Sequence, residues 1–265
     1  MSYFSSRDLL TNCLFSLCLM VTWISTESEA NDAKDTRPDD LRIPDFLHVC
    51  KRNDAKLEDC IQNSIEELKP YLRKGIPEMK VPPLEPLLIK QLVAAQGQGL
   101  KVTTEDLKVY GCSNFTIKKL VANLKENKFF FTLDLPHLIL DGRYVVDGRV
   151  ILIPVKGNGP LSGDIYKTKA NVTLEGELIK KHGEDYIHYT DLNIRFKVGS
   201  GRLKLDNLFN GERVLGEIIN TAINLNFDQF IAELRPIIES VLGKFMLESA
   251  NKIVENFPYR VLFPE

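Results

Sequence analysis

Between Asn226 and Asn256 the apolar residues fall at Phe227, Phe230/Ile231, Leu234, Ile237/Ile238, Val241/Leu242, Phe245/Met246, Ala250 and Ile253/Val254, with Phe257 just beyond. Steps of three and four held over about eight turns define one long amphipathic helix. At about 1.5 Å per residue it spans roughly 45 Å, more than a small domain is wide. The rest of the chain must therefore supply an apolar surface of similar reach. Asp228, Glu233, Lys244, Glu248, Lys252 and Glu255 form the wet face. Pro236 lacks an N–H and crowds the carbonyl four residues back, which predicts a kink near residues 232–236 or a helix start near Arg235. A coiled coil fits poorly, because Phe and Ile share the stripe with Leu and no second long helix is evident.

The matching surface is legible between Phe129 and Leu208. Phe131, Leu133 and Leu135 alternate with Thr132 and Asp134. Tyr166, Thr168, Ala170, Val172, Leu174, Gly176 and Leu178 alternate with polar residues, and so do Leu192, Ile194, Phe196 and Val198. Period two with one dry face is the record of antiparallel strands. The run from Ile165 to Ile179 alone reaches roughly 50 Å, comparable to the helix. Gly142, Gly148, Gly157-Asn158-Gly159-Pro160, His182-Gly183 and Gly199-Ser200-Gly201 are expected to be the turns. A further alternation runs from Leu107 through Gly111 and Ser113 to Ile117. A long one-faced sheet and a long one-faced helix bury each other when the sheet curls around the helix. The expected class is α+β: a strongly curved antiparallel sheet wrapped on a long C-terminal helix, with a shorter helix at Arg213–Asn224.

The first thirty residues read as a secretory signal: Arg7 precedes an apolar stretch from Leu9 to Ile24 that is short for a membrane span, with cleavage expected between Ser25 and Ala30. Residues 31–45 are expected to be a flexible leader, and 46–265 a single domain. The whole chain carries 34 Lys and Arg against 36 Asp and Glu; losing Arg7, Asp8, Glu27 and Glu29 brings the two into balance. A neutral surface without a basic run offers nucleic acid no general attraction.

Of the five cysteines, Cys13 and Cys18 leave with the signal. Cys50 and Cys60 are the natural disulfide pair in an oxidising compartment, contributing about 2–3 kcal/mol on a chain-entropy estimate. Cys112 is left over, as a buried thiol or an odd partner. A helix opening at Asn53 or Asp54 and running through Leu57, Ile61, Ile65, Leu68 and Leu72 would be stapled by that disulfide. The Pro82-Pro83-Leu84-Glu85-Pro86-Leu87 stretch that follows is expected to be an extended connector.

No nucleophile elbow, zinc-protease helix, phosphate loop or dinucleotide fingerprint is present. His48, His137, His182 and His188 are scattered, and Glu175 and Glu177 share a wet face with no sign of a cleft. Neither an enzyme nor a cofactor or metal site is expected. The excess is apolar, and a sheet curled around a helix can enclose an elongated cavity suited to a lipid or terpenoid. The expected lining is Phe131, Leu133, Leu135, Val172, Leu174, Ile194, Phe196 and Val198 from strands, with Phe230, Leu234, Ile237, Ile238 and Val241 from the helix. Two sequons, Asn114-Phe115-Thr116 and Asn171-Val172-Thr173, place asparagines on polar phases where N-glycans would project outward.

Several of these pieces recur together in one family. Cys50 with Cys60, Pro83-Leu84-Glu85-Pro86-Leu87-Leu88-Ile89, Phe209-Asn210-Gly211-Glu212-Arg213-Val214-Leu215-Gly216, Asn220, Glu233-Leu234-Arg235-Pro236-Ile237-Ile238-Glu239 and Leu262-Phe263-Pro264 stand in order. Over essentially its whole mature length the chain resembles the Takeout and juvenile-hormone-binding proteins of insects, and within them the clock-controlled branch. The resemblance implies a related super-roll of curved sheet on helix, and a secreted, monomeric carrier of a small hydrophobic ligand linked to circadian output, behaviour or hormone signalling, with a receptor unknown. Cys112 stands where the family pattern has leucine, and no residue matches a polar contact to the hormone. Alternative readings are a lipid-surface binder without stable membrane insertion, or an extracellular signal that meets other proteins and has no cavity.

Overall fold

The computed structural model describes residues 43–265, apart from 97–99 and 151–152. The expected signal and most of the expected leader lie outside the described residues. Helix α1 (Leu57–Lys74) leads into strands β1 (Leu87–Gln96), β2 (Leu100–Tyr110), β3 (Thr116–Asn123), β4 (Lys128–Val150), β5 (Ile153–Lys181), β6 (Glu184–Lys197) and β7 (Ser200–Leu205). Helices α2 (Arg213–Leu225), α3 (Phe227–Val254) and α4 (Tyr259–Leu262) complete the chain.

The sheet is antiparallel and built on β4 and β5, of 23 and 29 residues, which pair from Lys128↔Glu175 to Val150↔Ile153. Each of these strands is long enough to take two neighbours on its other edge. β4 pairs with β3 over one half and with β2 over the other. β5 pairs likewise with β6 and then β7. β1 lies on β2, so the path β1-β2-β4-β5-β6 leaves β1 and β6 as its edges. α3 packs on both of those edges and on β7, closing the half-barrel as the two apolar periodicities require.

Glycine proved a poor guide to turns. Gly142 and Gly148 lie inside β4, and Gly157 and Gly159 inside β5. They are places of close approach: a Cβ at Gly142 would stand 2.9 Å from the Cα of Leu107, and one at Gly157 equally near that of Leu208. His182-Gly183 does turn the chain between β5 and β6. The alternation around Gly111 is also not one strand. Gly111 takes a left-handed φ of 89° and a 3-10 turn, Cys112–Asn114, separates β2 from β3. The inward phase is kept across the turn, because Val109 before it and Ile117 after it are both buried, while within the turn Cys112, on the phase expected to face outward, also reaches the interior.

Inward parity switches once along the two longest strands. On β5 the inward residues are Leu161, Gly163 and Ile165, then Thr168, Ala170, Val172 and Leu174. The switch falls at Lys167, which adopts φ 56°, opposite Pro136, where β4 changes from Leu133 and Leu135 to Leu138 and Leu140. Tyr166, expected inside, therefore points out and stacks on His137 at 4.4 Å. Leu178, beyond the register shift at Glu175/Gly176, is exposed as well.

One helix start departs from expectation, and at a second the structure decides between two alternatives. α1 begins at Leu57, not at Asn53 or Asp54; Asp54 instead accepts a hydrogen bond from the Lys56 N–H just before it. α3 begins at Phe227 and runs on through Pro236, so the proline does not start the helix. Cys50 and Cys60 are bonded and tie the incoming chain to α1. The proline-rich connector is pinned by Glu85, whose carboxylate accepts from the N–H groups of Gly111 and Ser113 and from the Ser113 hydroxyl, each at 2.9 Å.

The helices meet the open strand edges through side chains that act like a neighbouring strand. Asn220 Oδ1 accepts from the Leu205 N–H at 2.8 Å and its Nδ2 donates to the Leu205 carbonyl at 2.9 Å. Asn224 does the same at Leu203, and Asn251 at Tyr189, every bond at 2.8 Å. Glu239, only 6 % exposed, accepts from the Phe196 N–H at 3.1 Å and from Arg195 at 2.6 Å. A buried strand amide left without its acceptor costs about 1–3 kcal/mol. Glu239→Ala and Asn224→Ala are each expected to lower the unfolding free energy by about 2 kcal/mol in urea titrations. The exposed ion-pair variant Arg213→Ala is expected to change it by less than about 0.5 kcal/mol.

Candidate functional site

Between the concave face of the sheet and α3 lies a cavity of about 510 Å³. That volume is within the range of sites that take one small molecule. Its wall follows β4 from Phe131 to Val146, a strand contour of roughly 50 Å on a curved sheet, so the space is an elongated tunnel along the sheet. Leu92, Val102, Val146, Val155 and Ile223 bound one end. Ile65 and Leu68 of α1, with Ala250 and Ile253 of α3, bound the other.

The structure places most of the expected wall residues on the wall. Phe131, Leu133, Leu135, Val172, Leu174, Ile194, Phe196 and Val198 face the tunnel from the sheet, and Phe230, Leu234 and Ile238 from α3. Ile237 and Val241 do not line it, although like Leu234 and Ile238 they pack against the buried core cluster that includes Phe227 and Phe230. Among the side chains missed by sequence reasoning are Ile65, Leu68, Leu72, Pro82 and Leu84, from α1 and the connector. Along α1 the spacing is an ordinary apolar stripe, and only the fold shows that it bounds one end of the tunnel. β1 and β2 contribute Leu87, Ile89, Leu92, Val102, Leu107 and Val109.

Polar atoms on the wall are few. Tyr144, 2 % exposed, donates its hydroxyl to the Asp206 carbonyl at 2.8 Å, and burial pushes its pKa up to about 12. Ser249 donates to the Phe245 carbonyl of its own helix at 2.8 Å. Cys112 is a free thiol whose sulfur points to the Val109 carbonyl at 3.7 Å. Burial and then the nearby Glu85 charge raise its pKa to about 12. Thr104 and Thr168 complete the set.

The other residues with chemical potential are apart from the tunnel and from one another. His137 bonds Asp164 at 2.7 Å on the outer face, His182 is in a turn and His188 lies opposite Glu177 on an exposed strand face. Glu175 pairs with Lys128. Among the described residues no group of three His, Cys, Asp or Glu could hold a metal ion. Asn114 and Asn171 are both exposed, the first at the end of the 3-10 turn and the second accepting from Thr132.

A long helix closing a curved antiparallel sheet over an apolar tunnel is an architecture suited to enclosing a hydrophobic ligand. Residues 20–264 match the family described as haemolymph juvenile hormone binding protein (JHBP), and this chain belongs to that family. The circadian clock-controlled protein daywake of Drosophila melanogaster is 24% identical over 255 residues, covering 92% of this chain and 94% of the relative. A putative beta-carotene-binding protein of Schistocerca gregaria is 22% identical over 206 residues, covering 77% and 82%. Among solved structures, Takeout 1 of Epiphyas postvittana superposes with a TM-score of 0.74 at 21% identity, covering 83% of this chain and all of that one, and so shares its fold.

The raised thiol pKa gives two measurable consequences. With its pKa raised to about 12, Cys112 stays protonated at pH 8, so maleimide or iodoacetamide labelling, read as the difference from Cys112→Ser, is expected to be slow until the protein is unfolded. In the folded state Cys112 and Tyr144 keep their protons to higher pH than in the unfolded chain. Stability is therefore expected to fall as pH rises from about 9 to about 12, and less steeply in Cys112→Ser.

Proposed function

We propose that this protein is a secreted carrier of one elongated, hydrophobic small molecule, such as a terpenoid or a fatty-acid derivative. The observation that carries the reading is the tunnel itself. Its wall is almost wholly aliphatic and aromatic, and it runs the length of the sheet without being filled by side chains. Each methylene moved from water into such a space gains about 0.8 kcal/mol, so a long chain binds well with few polar contacts. The disulfide is consistent with export, and the exposure of Asn114 and Asn171 with N-glycosylation at both sequons. Similarity to daywake along nearly the whole of both chains supports a role in circadian output or behaviour.

A second reading, contact with a lipid surface, is favoured by one feature. Val214, Leu215, Ile218 and Leu225 of α2 are exposed along one stripe, while Ile219 and Ile223 of the same helix are buried and Ile223 lines the tunnel. An amphipathic helix of this kind, its polar rim uncharged overall, suits a neutral lipid surface at which an insoluble ligand is collected or delivered.

The carrier reading is tested by native mass spectrometry of protein secreted from insect cells, which is expected to show one co-purified apolar molecule per chain. Ala170 is 4 % exposed and faces the tunnel, so Ala170→Phe is expected to reduce saturable uptake of a fluorescent hydrocarbon several-fold while the protein stays folded. Absence of both co-purified ligand and saturable uptake in the wild type overturns the reading. Treatment with peptide-N-glycosidase is expected to remove two glycans, and one from Asn171→Gln.

A further inference from the structure

Two hydroxyls in the tunnel wall have no work within the protein. Thr104 on β2 and Thr168 on β5 both line the tunnel and are 7 % and 6 % exposed. Neither Oγ1 has a hydrogen-bond partner. A buried hydroxyl nearly always finds one, and valine would fill the same strand position with the same shape and no polar group to satisfy. The other polar wall groups do not share this condition: Tyr144 and Ser249 donate to backbone carbonyls, and the Cys112 sulfur faces one. Since no protein bond holds either threonine hydroxyl, a rotation of roughly 120° about Cα–Cβ to another staggered rotamer carries the oxygen into the methyl's place, and the methyl into the hydrogen's, without breaking a hydrogen bond.

Their positions carry further information. Thr104 lies opposite Tyr144 on β4 and Thr168 opposite Leu135, nine residues further back along the same strand. The contour between them is roughly 30 Å, so they are separate stations along the tunnel and not one polar patch. Among the described residues the wall has no Lys, Arg or His, and no Asp, Glu, Asn or Gln. A carboxylate carried into this space would lose its hydration with no cation to replace it, whereas a hydroxyl, ester or ketone asks only for a single neutral hydrogen bond.

We infer that Thr104 and Thr168 are the polar ligand contacts of the tunnel, and that they select an elongated, uncharged lipid bearing isolated oxygen functions over an ionised fatty acid. The inference rests on the carrier reading and sharpens it to a ligand class.

The test uses the full secreted chain, stripped of ligand, with the pure hydrocarbon diphenylhexatriene as the reporter. Competitors of equal chain length are hexadecyl acetate, hexadecanol and palmitate, compared at pH 7.5. Hexadecanol and the acetate are expected to displace the reporter at concentrations at least about tenfold lower than palmitate. Thr104→Val or Thr168→Val is expected to weaken the alcohol or ester, relative to diphenylhexatriene, by roughly three- to tenfold, and to leave the melting temperature the same or higher. Thr104→Ser and Thr168→Ser are expected to keep wild-type discrimination. If palmitate competes as well as the ester, or if both valine variants bind the oxygenated lipids like wild type, the ligand class is wrong while the carrier reading stands. If diphenylhexatriene itself shows no saturable binding, both fall.

Discussion

The fold depends on how α2 and α3 meet the unpaired edges of the sheet. A strand edge is a row of donors and acceptors that has to be paired, covered or left in water. Here Asn220 and Asn224 supply a donor and an acceptor each to β7, and Asn251 does so for β6. Glu239 adds an acceptor for the Phe196 N–H, and Gly243 lets the α3 backbone approach the Leu192 carbonyl so closely that a Cβ would stand 3.0 Å away. These contacts have the directionality of hydrogen bonds, which hydrophobic packing lacks. They fix where along the edge the helices sit.

That constraint also explains why the interior is hollow. A helix drawn only by apolar contact would sink into the concave sheet until side chains filled the gap. α3 is instead held at the rims, on β6 and β7 on one side and on β1 on the other. Its tight core contacts are concentrated near Phe227, Phe230 and Ile231, close to the start of the helix. α1 then closes one mouth under the Cys50–Cys60 disulfide, and the Glu85 carboxylate holds the connector against the Gly111–Ser113 turn. The tunnel is what remains between elements that are each satisfied elsewhere.

Periodicity made the two main elements legible because each had one strong, uninterrupted pattern. The stripe from Phe227 onward and the alternations at Phe131–Leu135 and Leu192–Val198 could hardly be satisfied in any other way. Most of the expected wall residues follow from those phases alone. What failed were the punctuation marks. Gly142 and Gly157 looked like turns because glycine permits turns, yet they serve close crossings of β2 and the Asn207–Leu208 segment. Tyr166 was assigned to the wrong face because the parity switch at Lys167 comes from a left-handed residue that need not be glycine. Ile237 and Val241 belong to the apolar stripe and pack on the same buried cluster as Leu234 and Ile238 but do not reach the tunnel wall, a distinction that depends on where α3 lies against its neighbours.

By itself the sequence determined the classes of element, the dry face of each uninterrupted run and the disulfide, because period, side-chain polarity and redox chemistry are local properties. It also carried, in ordered short motifs, the membership of the family. Only the tertiary structure decided that the two dry faces enclose a space instead of filling it. Only there do Asn220, Asn224, Glu239 and Asn251 become edge partners, and Thr104 and Thr168 become lone hydroxyls on an apolar wall. A polar residue's role depends on which partner is within about 3 Å, and that is a property of the assembled chain.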